Sequence, residues 1–165
     1  MEEKGIMKTR IDLTQVNPGV IHAILGLERQ VRQAGFDHAL LDLVRMRASQ
    51  INGCAYCLDM HSKDARANGE TEQRLYGLDA WRETPYYSAR ERAALEWTEA
   101  LTLVSETRVP DDVYERVREQ FLQDELVHLT LAIVSINGWN RLNIAARTVP
   151  GGYVAGGLAK VHAAS

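Results

Sequence analysis

Cys54-Ala-Tyr-Cys-Leu-Asp-Met-His61 is the segment around which the rest of this chain is organised. It holds the only two cysteines of the 165 residues, and His61 follows Cys57 by four positions. Residues three and four apart lie on one face of a helix, so these three side chains would be neighbours. Gly53 precedes the segment, and Asn68-Gly69 is typical of a helix end. The pattern predicts a helix from about Cys54 to Asn68 with a dithiol in its first turn.

This placement favours thiol chemistry. The thiolate is the reactive form of cysteine, and an ordinary thiol has a pKa of about 8.5. Unpaired N–H groups and the positive end of the helix dipole stabilise an anion at the first turn, which favours ionisation of Cys54. His61 can accept a thiol proton, which favours Cys57 instead. Two thiols at this spacing can also close a disulfide within one turn.

Three interpretations of the segment are open. A CxxC pair in an intracellular chain is typical of a redox dithiol, which we favour. Cys54, Cys57 and His61 are also three possible zinc ligands, but a closed structural site usually needs four, and no second CxxC pair supplies the rest. In the third interpretation the cysteines are inert and serve only as small apolar core residues.

Length and composition set the class of protein. A chain of 165 residues suits one domain with a real core, and 45% apolar and 25% charged residues are ordinary for a globular protein. A net charge of −3 argues against nucleic-acid binding. No apolar run is long enough to span a membrane, and the charged N-terminus is unlike a signal peptide. We therefore expect a cytoplasmic protein, in which a CxxC pair is kept reduced and is used in chemistry.

The remaining pattern predicts an all-α chain. Residues 1–16 are expected to form an extended arm, and the glycine-rich residues 150–165 a tail that drapes over a neighbouring subunit or is mobile. The helix after Asp124 is apolar nearly all round, so it is expected to be buried, to form an oligomer interface, or both. Helices are predicted from Pro18 to about 34 after Asn17, from His38 to Asn52 after Asp37, from Thr71 to about Leu78, from the capping box Ser88–Glu91 to about Ser105, from Val109-Pro110-Asp111 onward, and from Asp124 to about Arg147, with Trp81–Tyr87 as a connector.

The second of these helices carries charged residues among its apolar ones. Asp42, Arg45 and Arg47 are typical of a solvated helix face. A bend at Asn52-Gly53 would nevertheless fold Asp42 back toward the cysteines.

An internal similarity links two parts of the chain. Gln50-Ile-Asn-Gly53 resembles Ser135-Ile-Asn-Gly138, and each follows an apolar helical run. When the two segments are superposed, Cys54 corresponds to Trp139, Cys57 to Leu142 and His61 to Ala146. This indicates either two related helical hairpins, of which only the first kept reactive residues, or the coincidence of two Asn-Gly pairs.

The segment from Leu41 to His61 resembles the carboxymuconolactone decarboxylase superfamily, specifically its alkylhydroperoxidase D-like (AhpD-like) branch. Ile136–Asn143 and Arg147–Tyr153 also resemble that branch, and the resemblance covers about residues 18–155. It implies a single all-α domain over residues 1–165, built from a helical-hairpin repeat and assembled as a trimer or as a hexamer of dimers. It further implies thiol-dependent reduction of peroxides, with no bound cofactor or metal, and re-reduction of the dithiol by a lipoyl group or a thioredoxin-like protein.

The resemblance also implies roles for single residues. Cys57 matches the peroxide-attacking cysteine, Cys54 the resolving cysteine, and His61 the histidine that helps to deprotonate the nucleophile. Asp42 stands where the family has a glutamate, twelve residues before the first cysteine, and its shorter side chain would need an extra water to relay a proton. Tyr56 stands where the best-matched peroxidases have histidine. Both departures bear on the strength of peroxidase activity.

Two alternatives to a peroxidase are open. The superfamily is named for a lactone decarboxylase, although its true decarboxylases generally lack the CxxC core. The chain could also be a non-catalytic redox-sensing oligomer, in which the dithiol controls association.

Overall fold

Helix α2 (His38–Asn52) is the centre of the fold, and it packs against three other helices. Its partners are α3 (Ala55–Ala67), α5 (Ala89–Thr102) and the long α8 (Gln123–Ala146), while α1 (Pro18–Gln33) lies along α8. This computed structural model describes residues 7–16 and 18–157, and no strand occurs in them. The all-α prediction is therefore confirmed. The shorter helices are α4 (Glu72–Tyr76), a 3₁₀ helix (Leu78–Glu83), α6 (Val104–Thr107) and α7 (Asp111–Arg118).

Local capping residues define the helix ends as the sequence predicts. The Asp37 side chain accepts a hydrogen bond from the Ala39 amide at the start of α2, and Ser88 and Glu91 form a reciprocal capping box at the start of α5. Gly53 ends α2 in the left-handed region, with φ of 66°, and turns the chain directly into α3. The predicted cap at Asn17 lies outside the described residues.

Three boundaries differ from the predictions. Helix α8 begins two residues early, after Leu122 instead of Asp124, because the Glu125 carboxylate accepts a hydrogen bond of 2.7 Å from the Leu122 amide. The predicted connector after Trp81 continues as a 3₁₀ helix as far as Glu83. The predicted helix to Ser105 is interrupted at Leu103, so that α5 and α6 are separate.

The core lies on both sides of α2. Leu40 and Val44 face a cluster that joins α5, α7 and α8, whereas Leu43 and Met46 face the 3₁₀ helix and α5. One face of α8 is buried in this core, as its apolar composition predicts. Its other face is exposed in this chain and carries apolar side chains, namely Val127, Val134 and Ile144.

The first described residues lie close to the end of α8. The amides of Arg10 and Ile11 donate to the carbonyl oxygen of Ala146 at the end of α8, at 2.8 and 3.2 Å. The tail then runs along α3 of the same chain, where Tyr153 donates its hydroxyl to Asp64. The described part of the tail is thus held within its own chain, and the remainder, 158–165, lies outside the described residues. In residues 7–16 and 18–157 no helix is long and apolar enough to span a membrane.

Candidate functional site

The two cysteines meet at the junction of α2 and α3. Gly53 ends α2, Cys54 is the N-cap of α3, and Cys57 lies in the first turn. Their sulfur atoms are 2.6 Å apart and joined by a hydrogen bond, and both residues are free thiols. Both are buried, with exposed fractions of 1% and 0%. The predicted dithiol at a helix start is therefore present, with Cys54 one position ahead of the first turn.

The environment separates the pKa values of the two thiols. The hydrogen bond that Cys54 shares with Cys57 lowers the pKa of Cys54 to about 7, and the backbone amides of Tyr56 and Cys57 at the helix start contribute. The same hydrogen bond, together with burial and the negative charge of Cys54, raises the pKa of Cys57. Cys54 is therefore the first thiol to ionise, as the helix dipole predicts.

His61 lies one turn beyond Cys57 on α3. It is 5% exposed, and its Nε2 atom has no hydrogen-bond partner among the described residues. Burial lowers the pKa of His61 to about 3, and the positive charge of Arg45 acts in the same direction. The imidazole is therefore neutral at physiological pH, and it is a weaker base than an exposed histidine.

Asp42 is buried next to the same region, with an exposed fraction of 4%. The expectation of a solvated face is thus wrong for this residue, and burial raises its pKa. Its carboxylate accepts a hydrogen bond of 3.0 Å from Asn68, the residue that ends α3, and lies 3.8 Å from Arg45. Asp42 is therefore bonded to Asn68 and not to His61, so the two are not in direct proton contact.

A cavity of about 870 Å³ adjoins His61 and Asp42, and neither cysteine is among its lining residues. His61, Asp42 and Tyr56 all line it, as does Thr148, whose hydroxyl is buried without a hydrogen-bond partner among the described residues. Two segments outside the helices form part of its wall, namely residues 9 and 11–14 before α1 and the segment that follows α8. Its apolar lining comes from Ile21, Leu25, Leu41, Met60, Trp139 and Val149.

Two asparagines of α8 lie beside the dithiol, Asn143 in direct contact with Cys57, and the sequence interpretation missed both. The Asn143 side chain donates to the sulfur of Cys57 at 3.7 Å, and the Asn140 side chain lowers the pKa of both cysteines. Asn52, next to the bend, donates to Asn140 at 2.8 Å and to Asn137 at 3.0 Å. Two sequence signals fell on this part of α8, namely the repeated Ile-Asn-Gly pattern and the resemblance of Ile136–Asn143 to the AhpD-like branch.

The zinc interpretation finds no support in the geometry. In the described part of the chain no three His, Cys, Asp or Glu side chains are placed so that they could hold a metal ion. Cys54, Cys57 and His61 are consecutive along one side of α3, but they do not converge on a common point.

Comparisons with known proteins agree with this fold. The profile of the carboxymuconolactone decarboxylase family matches residues 18–100. An uncharacterized protein of Bacillus subtilis (strain 168), YdfG, is 44% identical over 139 residues, which cover 84% of this chain and 95% of that protein. The crystal structure of ATU0492 from Agrobacterium tumefaciens, a protein of unknown function described as a candidate antioxidant defence protein AhpD, superposes with a TM-score of 0.85 at 41% identity and covers 88% of this chain and all of that one. A peroxidase-related protein from Silicibacter sp. TM1040 shares the fold, with a TM-score of 0.71 at 21% identity, over 82% of this chain and 72% of that one.

Proposed function

Because the chain belongs to the carboxymuconolactone decarboxylase family and has the AhpD-like fold, we propose that it is a thiol-dependent peroxidase that reduces organic hydroperoxides. The observation that carries this proposal is the free Cys54–Cys57 pair, with sulfurs 2.6 Å apart at the start of a helix whose next turn bears a neutral histidine. The likeness to ATU0492, described as a candidate antioxidant defence protein, supports it.

Cys57 is the attacking residue in this proposal. The residues one turn beyond it, Met60 and His61, line the cavity, and Asn143 joins its sulfur to the cavity wall. A Cys54 thiolate raises the pKa of Cys57, so Cys57 ionises while Cys54 is in its protonated form. His61 takes the proton of Cys57, and the thiolate that forms stabilises the new imidazolium beside it. The Cys57 thiolate then attacks the hydroperoxide, the O–O bond breaks, and the alkoxide takes the proton back from His61. The products are an alcohol and a sulfenic acid on Cys57.

Cys54 is the resolving residue. In the reduced pair its pKa is about 7, and the amides at the start of α3 that favour its thiolate stay in place when Cys57 is oxidised, so it can attack the sulfur of the Cys57 sulfenic acid. Hydroxide leaves and takes a proton from solvent as water, and a Cys54–Cys57 disulfide forms. An external dithiol, on a lipoyl group or a thioredoxin-like protein, restores both thiols by exchange and is itself oxidised to a disulfide.

Asp42 contributes indirectly. It holds Asn68 at the end of α3 and carries a raised pKa on the wall of the cavity. We place it as a residue that relays a proton to His61 through a water, since the two share no hydrogen bond.

The cavity favours an organic substrate over hydrogen peroxide. Its volume of about 870 Å³ is in the range of pockets for drug-sized ligands, and most of its named lining is apolar. Ile21 is a half-buried lining residue of α1, whereas its neighbour Val20 is exposed and lies outside the cavity.

The experiment is a steady-state assay with cumene hydroperoxide or hydrogen peroxide and dihydrolipoamide or reduced thioredoxin as the electron donor. We expect turnover with a higher kcat/KM for cumene hydroperoxide. Ile21→Trp, which fills the cavity, should raise the KM for cumene hydroperoxide several-fold, and the matched Val20→Trp should not. A reduced protein that consumes neither peroxide would overturn the proposal.

We also place a subunit contact on the exposed apolar face of α8. Val127 and Val134 lie two turns apart on that face, with exposed fractions of 64% and 53%. The native mass should correspond to a trimer or hexamer, and Val134→Glu should reduce it. A wild-type chain that is monomeric at high concentration would contradict this placement.

A further inference from the structure

We propose that Asn140 and Asn143 of α8 form an amide cradle for the dithiol, a pair of uncharged donors that stabilise negative charge on Cys54 and Cys57. The cradle deepens the proposed function, on which it rests for its role in turnover. Its effect on thiol ionisation can be measured without any peroxide.

Asn143 makes the direct contact. Its side-chain nitrogen lies 3.7 Å from the sulfur of Cys57, and it also donates to the Trp139 carbonyl oxygen at 3.0 Å. The second bond fixes the amide on α8, so one N–H remains directed at the sulfur. Asn143 is 6% exposed and lines the cavity. Its N–H is therefore close enough to donate to the Cys57 sulfur when that sulfur carries a negative charge.

Asn140 is held in place by hydrogen bonds to two other polar side chains. It is fully buried, its oxygen accepts a hydrogen bond of 2.8 Å from Asn52, and its nitrogen donates to the Ser49 hydroxyl at 3.0 Å. Because Asn52 occupies the amide oxygen, the nitrogen of Asn140 is turned away from Asn52. The carbonyl oxygen of Ser49 also accepts a hydrogen bond of 3.0 Å from the Cys54 amide, so Asn140 is bonded to the residue that holds Cys54 at the start of α3. Its second N–H is then left for the neighbouring sulfurs, and its side chain lowers the pKa of both thiols.

The need for such donors follows from burial. Both sulfurs are almost completely removed from solvent, and a buried thiolate without hydrogen bonds would be strongly disfavoured. The neighbouring His61 imidazole has no positive charge with which to stabilise a thiolate, because burial keeps it neutral. Preoriented neutral donors stabilise an anion in such a site without burying a second charge.

The cradle exists only in the folded chain. Asn143 and Asn140 lie 86 and 91 residues along the chain from their partners Cys57 and Ser49, so only the tertiary fold joins them. They are three residues apart and share one face of α8. These two asparagines therefore serve the dithiol, whereas the apolar buried residues of α8 pack in the core.

The test measures thiol ionisation in the reduced, full-length protein by ultraviolet thiolate absorbance against pH. The Cys54→Ser and Cys57→Ser backgrounds isolate one sulfur each. In the first background, Asn143→Leu should raise the pKa of Cys57 and lower its thiolate fraction at a given pH below that pKa about tenfold. In the second, Asn140→Leu should do the same for Cys54. Asn143→Ala serves as a second variant if the leucine is not accommodated.

Asn137→Leu is the matched control. Asn137 lies on the same helix and bonds Asn52 and Thr102, but it touches neither sulfur. It should lower the unfolding temperature and leave the thiol ionisation unchanged. Wild-type ionisation in both cradle variants, or an equal shift in Asn137→Leu, would overturn the cradle. If ionisation shifts as expected but no hydroperoxide is ever reduced, the cradle stands and the proposed peroxidase function fails.

Discussion

The same three residues, Ile-Asn-Gly, occur at the end of α2 and in the middle of α8, and the chain treats them differently. At Asn52-Gly53 the glycine adopts a left-handed conformation, α2 ends, and the next helix starts at Cys54. At Asn137-Gly138 the helix continues without interruption to Ala146. Gly138 instead allows close approach of α1, since a Cβ there would lie 3.0 Å from the Cδ1 of Ile24.

The difference separates two kinds of chemistry. A helix that ends and restarts exposes unpaired backbone amides, and these help to lower the pKa of Cys54. A helix that continues has no such amides, so α8 contributes through side chains, the Asn140 and Asn143 amides. The two Asn-Gly pairs meet in space through the hydrogen bond between Asn52 and Asn137. The two pairs therefore lie in one site built from both halves of the chain, in which only the interrupted half carries sulfur.

The largest expected effect is the loss of activity when the attacking cysteine after the first Asn-Gly pair is replaced. Cys57→Ser should lower peroxidase turnover by about a thousandfold or more, because the attacking atom is lost. The control is Leu142→Ser, at the corresponding position of α8, which should retain most of the activity. Steady-state assays of both variants would check this, and equal activity of Cys57→Ser and the wild type would contradict the assignment.

The next effect tests the buried histidine. The pKa of His61 falls from its usual value near 6.5 to about 3 on folding, so the unfolded chain binds the proton more readily in that window. Its contribution to stability is complete above about pH 6.5 and is lost as the pH falls toward 3. Between pH 7 and pH 5 the free energy of unfolding should fall by about 2 kcal/mol on this account.

Urea unfolding of wild type and His61→Gln at both pH values measures this. The variant should lack most of the acid destabilisation. His128, which is half-buried and bonded to the Asp124 carbonyl, supplies the matched control His128→Gln, which should retain it. Parallel pH profiles for the wild type and His61→Gln would show that His61 is not buried in its neutral form.

The smallest effect concerns the two glycines themselves. Gly53→Ala meets no neighbouring atom, but it places a side chain at φ of 66°, which should cost about 1 kcal/mol. Gly138→Ala gains about 1 kcal/mol of helix propensity, which offsets its close contact with Ile24. Thermal unfolding should therefore show a lower midpoint for Gly53→Ala only. Equal destabilisation would mean that the two sites do not differ as described.

Much of the fold was predictable, because its signals are local. Caps such as Asp37 and the Ser88–Glu91 box need only neighbouring residues, and they placed most helices within a few positions. The CxxC spacing likewise placed both cysteines at a helix start. Asp124 was a misleading local cue. The helix starts earlier, at the hydrogen bond between the Leu122 amide and Glu125, so Asp124 is not the N-cap.

The rest of the site depends on contacts between distant parts of the chain. Asp42 was expected on a solvated face, but Asn68 and Arg45 cover it in the folded chain. Arg45 in turn pairs with Glu28 of α1 at 2.9 Å. The Asn143 contact with Cys57 joins residues 86 positions apart, and no helical periodicity encodes it. The resemblance to the AhpD-like branch supplied roles for four residues and extended to Ile136–Asn143 of α8, but it gave no role to Asn140 or Asn143.

A single-turnover experiment tests the central claim most directly. The fully reduced protein is mixed anaerobically with one equivalent of cumene hydroperoxide, and free thiols, protein mass and the alcohol product are measured together. We expect loss of both thiols, a mass lower by two hydrogens, one equivalent of alcohol, and a Cys54–Cys57 disulfide in the digested protein. Unconsumed hydroperoxide with both thiols still free would contradict the account.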